Sequence, residues 1–178
     1  LISMRLRPMR AVNELAQQFA LGQGPKTISE LMLALANQLT SKVESLVVAL
    51  TDPVDAEEER IDADERYVPD HAQLQQVRRR SAGLRRFLAP QRDIYAQLAS
   101  HRRPWFGGAA PGYWNELHNH LTRYLEELEL IRERVALILE SEHRRMSEQM
   151  NRTMYRFGII TGFFLPLSFL TGLLGINV

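Results

Sequence analysis

Two acid–imidazole pairs carry spacings that metal chemistry can use. Glu116 and His120 stand four residues apart, and Glu140 and His143 three apart, so each pair shares one face of a helix. Two such ligands suit zinc, but a stable protein site takes three or four. The plainer reading of both pairs is surface chemistry. His71, His101 and His118 have no partner visible in the sequence. No Gly-rich phosphate loop, nucleophile elbow or His/Asp/Ser arrangement occurs, so no catalytic site is read and the chain is not expected to be an enzyme. There is no Cys among 178 residues, which excludes a disulfide framework, a thiol nucleophile and Cys-ligated zinc. Any metal handled here must meet oxygen, imidazole or its own water, and no permanently bound cofactor is implied.

A second kind of chemistry lies near the C-terminus. Phe157 to Val178 is a run of 22 residues without a charge, long enough to cross about 30 Å of hydrocarbon. Asn151, Met154, Gly158, Thr161, Leu165, Ser168 and Gly172 recur at intervals of three and four and share one helical face. Bulky Phe157, Phe163, Phe164, Leu167, Leu170 and Leu174 occupy the remainder. A plain anchor has no need of such a small, polar stripe. It could serve tight helix packing, through pairs such as Gly158/Gly162 and Ser168/Gly172, or line a water-filled path in a symmetric oligomer, and the pattern leaves both open. Pro166 withholds a donor from the carbonyl of Gly162 and should bend the helix. Gly172, Gly175 and Asn177 suit a helix terminus. Several such carbonyl ends around an axis, with Asn177 amide oxygens among them, would attract a cation and hydrogen-bond its water shell. Extending the stripe back by sevens gives Glu140, Glu133 and Glu126, interleaved with Leu137 and Leu130. In an oligomer these glutamates would form acidic rings that concentrate cations; the plainer reading is an exposed face with Arg neighbours.

The elements that must position these residues can be read from charge and periodicity. The 22 Lys+Arg and 21 Asp+Glu leave a formal charge of +1, which argues against nucleic acid as a partner. Residues 1–8 alternate like a short strand ended by Pro8, and a helix follows from Ala11 to Leu21. A second helix begins near Thr27 or Ser29, with an apolar row from Ile28 to Leu50. Thr51-Asp52-Pro53 could cap a new helix or kink the old one. An acidic stretch to Glu65 precedes a basic helix from about Asp70 to Arg102, kinked by Pro90, which suggests an antiparallel hairpin with complementary faces. Pro104 to Gly112 reads as a turn. Beyond it a helix of about 65 residues, roughly 100 Å long, runs without a stop into the apolar tail. Arg144, Arg145, Arg152 and Arg156 precede the span and nothing charged follows it, which places the N-terminal body in the cytoplasm. Leu1 at the start and an apolar run at the end read as an internal fragment.

These residues are recognisable together. Asn151-Arg152-Thr153-Met154 and the run Leu165-Pro166-Leu167-Ser168-Phe169-Leu170-Thr171-Gly172-Leu173-Leu174-Gly175-Ile176-Asn177 resemble the first membrane helix of the CorA-type divalent metal ion transporters. That helix ends in the family's Gly-Met-Asn signature. Ile176 in place of Met resembles the ZntB zinc-transporter branch, as does Leu84 to Tyr95. The resemblance implies a mainly α fold, a long-helix funnel or stalk running into a transmembrane helix and preceded by the end of an α/β domain. The implied divisions are 1–25 for the end of that domain, 26–110 for helical arms, 111–156 for the stalk and 157–178 for the first membrane helix. It further implies a homopentamer in a lipid bilayer, with Asn177 selecting a hydrated ion and Gly175 and Ile176 shaping the mouth. Asn151, Met154, Thr161, Leu165 and Ser168 would line the pore, with Met154 a constriction. Zinc ranks ahead of magnesium or cobalt as the transported ion. The rival is a coiled-coil scaffold with one C-terminal anchor.

Overall fold

The computed structural model describes residues 10–22, 24–64, 66–101, 110–173 and 175. Four helices follow in order: α1 (Arg10–Ala20), α2 (Ile28–Ala63), α3 (His71–Ser100) and α4 (Ala110–Leu173). No strand occurs among the described residues, and the alternating segment 1–8 lies outside them. The chain divides into two units, one ending at Val135 and the other beginning at Ala136.

The helix ends follow from local chemistry. α1 stops where Gly22 takes a left-handed φ of 71°, and the amide of Leu21 donates to the Gln17 carbonyl at 3.1 Å. A Cβ at Gly24 would meet the half-exposed Phe19 ring at 2.6 Å, so the ring would have to shift. Thr27 caps α2 by accepting the Glu30 amide at 3.1 Å, while the Glu30 carboxylate accepts the Lys26 amide at 2.7 Å, a reciprocal arrangement of the capping-box kind. Asp70 caps α3 through the amides of Ala72 and Gln73 at 2.9 and 3.0 Å.

Of the two alternatives at Thr51-Asp52-Pro53, the continuing helix is the one observed: α2 runs through Pro53. Pro111 and Gly112, expected in a turn, belong to the opening turn of α4. Proline is tolerated there because the first amides of a helix lack intrahelical acceptors in any case. The long helix comes out at 64 residues.

In the first unit α2 packs on α1 and α3, and the early part of α4 joins them. The buried rows are Val43, Val47, Leu50 and Val54 on α2, Leu74, Val77, Leu88 and Tyr95 on α3, and Trp114, Leu117, Leu121, Leu128 and Ile131 on α4. Each side chain of this size removed from water contributes about 1.5–3 kcal/mol. The Tyr95 and Trp114 rings lie 5.4 Å apart, joining α3 to α4. His118, which has no partner evident in the sequence, places its Nδ1 3.2 Å from the Arg92 carbonyl. A carbonyl only accepts, so this nitrogen carries the proton.

The turn between α2 and α3 is organised by one fully buried carboxylate. Glu57 accepts from the Tyr67 hydroxyl at 3.1 Å, the Asp70 amide at 3.1 Å and the Arg60 guanidinium at 2.9 Å. The Tyr67 hydroxyl, ahead of Glu57, raises the pKa of Arg60 further above its ordinary value. Replacing Glu57 by Ala leaves the Asp70 amide without its acceptor and removes one acceptor from the Tyr67 hydroxyl and the Arg60 guanidinium, and is expected to lower unfolding free energy by about 2–3 kcal/mol. Glu57→Gln should recover part of that loss. Thermal unfolding followed by circular dichroism checks both, and an unchanged melting curve for Glu57→Ala would refute the assignment.

Candidate functional site

α4 has two faces, and its sequence repeat separates them. In the first unit, Leu121, Leu128, Ile131 and Val135 are buried, while Glu126, Leu130 and Glu133 are exposed. In the second unit Leu137 and Glu140 are exposed, and so is every residue from Met146 to Leu173. Leu130 and Leu137 each leave 54% of their surface uncovered. Neither Glu126 nor Glu133 enters an ion pair among the described residues, whereas Glu140 lies 3.9 Å from Arg144.

At about 100° per residue, Asn151, Met154, Gly158, Thr161, Leu165, Ser168 and Gly172 fall within an arc of about 100°. Phe163, Leu167 and Leu170 lie on the opposite side, where the Phe163 and Phe164 rings meet edge to face at 5.9 Å. A Cβ added at Gly158, Gly162 or Gly172 would meet nothing within 4 Å in the single chain. The helix ends as its glycines suggest: Gly175 has φ 62°, and its amide donates to the Gly172 carbonyl at 3.3 Å. Ile176 and Asn177 lie outside the described residues.

Among the described residues no group of three or more His, Asp or Glu side chains is placed to hold a metal. Glu116 and His120 instead line an open cavity of about 420 Å³ between α2 and α4, with Glu30, Leu33, Asn37 and Tyr113. His143, on the face shared with Glu140, is exposed.

Sequence reading missed the clamp that fixes α4 against the arms. Arg134 donates to Asp55 at 2.5 Å and, through Nε and Nη2, to both oxygens of Glu58. The Glu58 hydrogen bonds, with help from Asp55, outweigh partial burial and hold the Arg134 pKa above its ordinary value. On the other arm, Arg85 of α3 pairs with Glu129 of α4, which also receives Arg132 at 3.0 Å. The complementary charges of the two arms therefore meet α4, and no ion pair joins α2 to α3 among the described residues. Partners 76 and 79 residues apart leave no local signal in a sequence.

The longest helix of this helical chain includes an exposed apolar stretch long enough to cross a membrane. All 178 residues match the family described as CorA-like Mg2+ transporter protein, and the chain belongs to that family. It is 60% identical over 177 residues to the divalent cation transporter CmaX of Pseudomonas aeruginosa, covering 99% of this chain and 53% of that protein. It is 30% identical over 179 residues to the zinc transport protein ZntB of Yersinia enterocolitica, covering 100% of this chain and 54% of that one. Among solved structures, the full-length CmaX protein matches with a TM-score of 0.87 at 60% identity, over 98% of this chain and 53% of that one. The CorA magnesium transporter from Methanocaldococcus jannaschii shares the fold, with a TM-score of 0.79 at 17% identity over 97% and 55% of the two chains. The chain thus spans about half the length of the curated relatives it matches. Those relatives are named as transporters, not enzymes.

Because Gly158 borders open space in the single chain, Gly158→Leu should keep or slightly raise the helix content, Gly being the poorer helix former by about 1 kcal/mol. Circular dichroism of the chain measures this, and a loss of helix would refute the open placement of that face.

Proposed function

We propose that this chain forms the stalk and first membrane helix of a divalent cation transporter that works as a ring of five identical copies in the cytoplasmic membrane. Residues 1–25 then close an upstream α/β domain, 26–110 form cytoplasmic arms, 111–156 the stalk and 157–178 the membrane helix. The ion passes along the ring axis past the exposed face of α4. Zinc is the preferred cargo, with magnesium or cobalt the alternative.

One observation carries the reading. A spacing of alternating four and three residues holds without a break from Glu126 to Gly172, and each of the fourteen residues on it is exposed in the single chain. A row that keeps this period over so many turns is a seam for other copies. Its composition changes along its length from glutamate and leucine, through Arg144, Ser147 and Asn151, to methionine, small residues and hydroxyls. The Glu126 and Glu133 rings raise the local cation concentration, Arg144 on the same row offsets Glu140, 3.9 Å away, and Met154 narrows the entrance. Thr161 and Ser168 offer neutral oxygens to an ion that keeps much of its water. At the far end Asn177 hydrogen-bonds the hydration shell, beside Gly175 and Ile176. A neutral oxygen lining supports passage better than capture, since conduction needs binding weak enough to release. The zinc preference is supported by Ile176 in the signature and by the ZntB relatives.

The full-length protein in liposomes is expected to take up Zn²⁺, and Asn177→Ala should abolish or deregulate that uptake. Uptake of Mg²⁺ without Zn²⁺ would overturn the zinc preference. Flux of neither ion would overturn transport and favour the scaffold.

A further inference from the structure

The arms carry two charged stripes that match each other and do not meet within one chain. On α2, Asp52 and Glu59 are exposed, seven residues apart, and neither enters an ion pair among the described residues. On α3, Arg79 and Arg86 are also exposed and also seven apart. Among the described residues Arg79 reaches the Gln75 carbonyl of its own helix, at 3.4 Å, and Arg86 lies over the Phe87 ring at 5.6 Å. Seven residues are two turns, so each pair shares one face and spans about 10.5 Å. Both stripes lie away from the buried rows of their helices. Between the arginines, Gly83 opens the surface, since a Cβ there would meet nothing within 4 Å. Phe87 is 67% exposed beside them.

We infer that the acidic stripe of α2 docks on the basic stripe of α3 in a second copy of this chain, so that the arms close a belt around the assembly. The occupant follows from the charge pattern. Equal spacing lets two ion pairs form in one register, and one chain carries both halves while pairing neither with the other. A contact between two different surfaces of the same chain is heterologous and propagates head to tail, closing into a ring where the rotation allows. In a ring at one level, α2 of one copy runs antiparallel to α3 of the next, pairing Asp52 with Arg86 and Glu59 with Arg79. Because α2 ends at Ala63 and α3 starts at His71, both pairs require the same offset of about four residues, about 6 Å along the helices. An arginine side chain covers that distance. The open surface at Gly83 admits the neighbouring helix, and Phe87 loses exposed area on closure.

The inference rests on the ring assembly proposed above, and its test reads subunit association, so it gives an answer whether or not the protein carries an ion. In the full-length protein in detergent, Asp52→Arg with Glu59→Arg, and separately Arg79→Glu with Arg86→Glu, are each expected to weaken association about tenfold, because both attractive pairs become repulsive. The combined fourfold exchange restores the pairs in reverse and should recover the assembly, read by light scattering and native mass. Circular dichroism establishes that each variant is folded. Should a one-sided reversal fail to fold, Asp52→Asn with Glu59→Gln serves in its place, with the expectation that salt no longer weakens the assembly. Full association of the one-sided variants, or a folded fourfold variant that stays dissociated, overturns the contact.

Discussion

A seven-residue repeat written on a helix of 3.6 residues per turn drifts by about 20° per repeat and cannot stay on one side of a straight rod. α4 keeps such a repeat over the whole exposed row from Glu126 to Gly172. Copies of the helix can hold that row towards a common axis only by coiling around it with a left-handed twist. The other features of the chain serve this condition. Residues 121, 128, 131 and 135 bury against the arms, which sets the rotation of α4 in the first unit and leaves Glu126, Leu130 and Glu133 turned outward. Leu130 and Leu137 on that row, each 54% exposed, are the costly part of the arrangement for a lone chain.

The arms hold α4 through charge as well as apolar area. Exposed ion pairs each contribute only about 0–1 kcal/mol, so Arg85–Glu129 and Arg132–Glu129 serve alignment more than stability. Arg134 differs, with a side chain only 22% exposed and three donor contacts to Asp55 and Glu58. Breaking it would leave a partly desolvated charge without a partner, so the register of α2 against α4 is specified at that point. At the hairpin turn Glu57 plays the corresponding part, exchanging its water for three donors.

Much of this was legible in the sequence because it is local. Thr27, Asp70 and the two left-handed glycines mark helix ends through side chains and backbones within a few residues. The uninterrupted three-and-four spacing announced a helix of about the observed length, and its uncharged end marked the exposed apolar stretch of membrane-spanning length. Pro53 could not be settled in advance, since a helix can absorb one missing donor when both flanks are packed. The charge pattern of the arms was visible but its partners were not: the acidic and basic stretches turned out to reach α4. The pairing of Arg134 with residues near the end of α2, and of His118 with the Arg92 backbone, depends on how the helices meet, which no local pattern encodes.

The central claim is that one face of α4 lines the ion path, and scanning cysteine along that helix tests it most directly. The 178 residues contain no Cys, so this segment adds no background reactivity. Single cysteines placed from Asn151 to Gly172 in the full-length protein would be treated with a charged, water-soluble thiol reagent while divalent-ion flux is followed. Block of flux is expected at Met154, Gly158, Thr161, Leu165 and Ser168 and not at Phe163, Leu167 or Leu170, giving a period of about 3.5 residues. Block at Phe163 and Leu167 with none at Thr161 and Ser168, or no periodicity at all, would contradict the account.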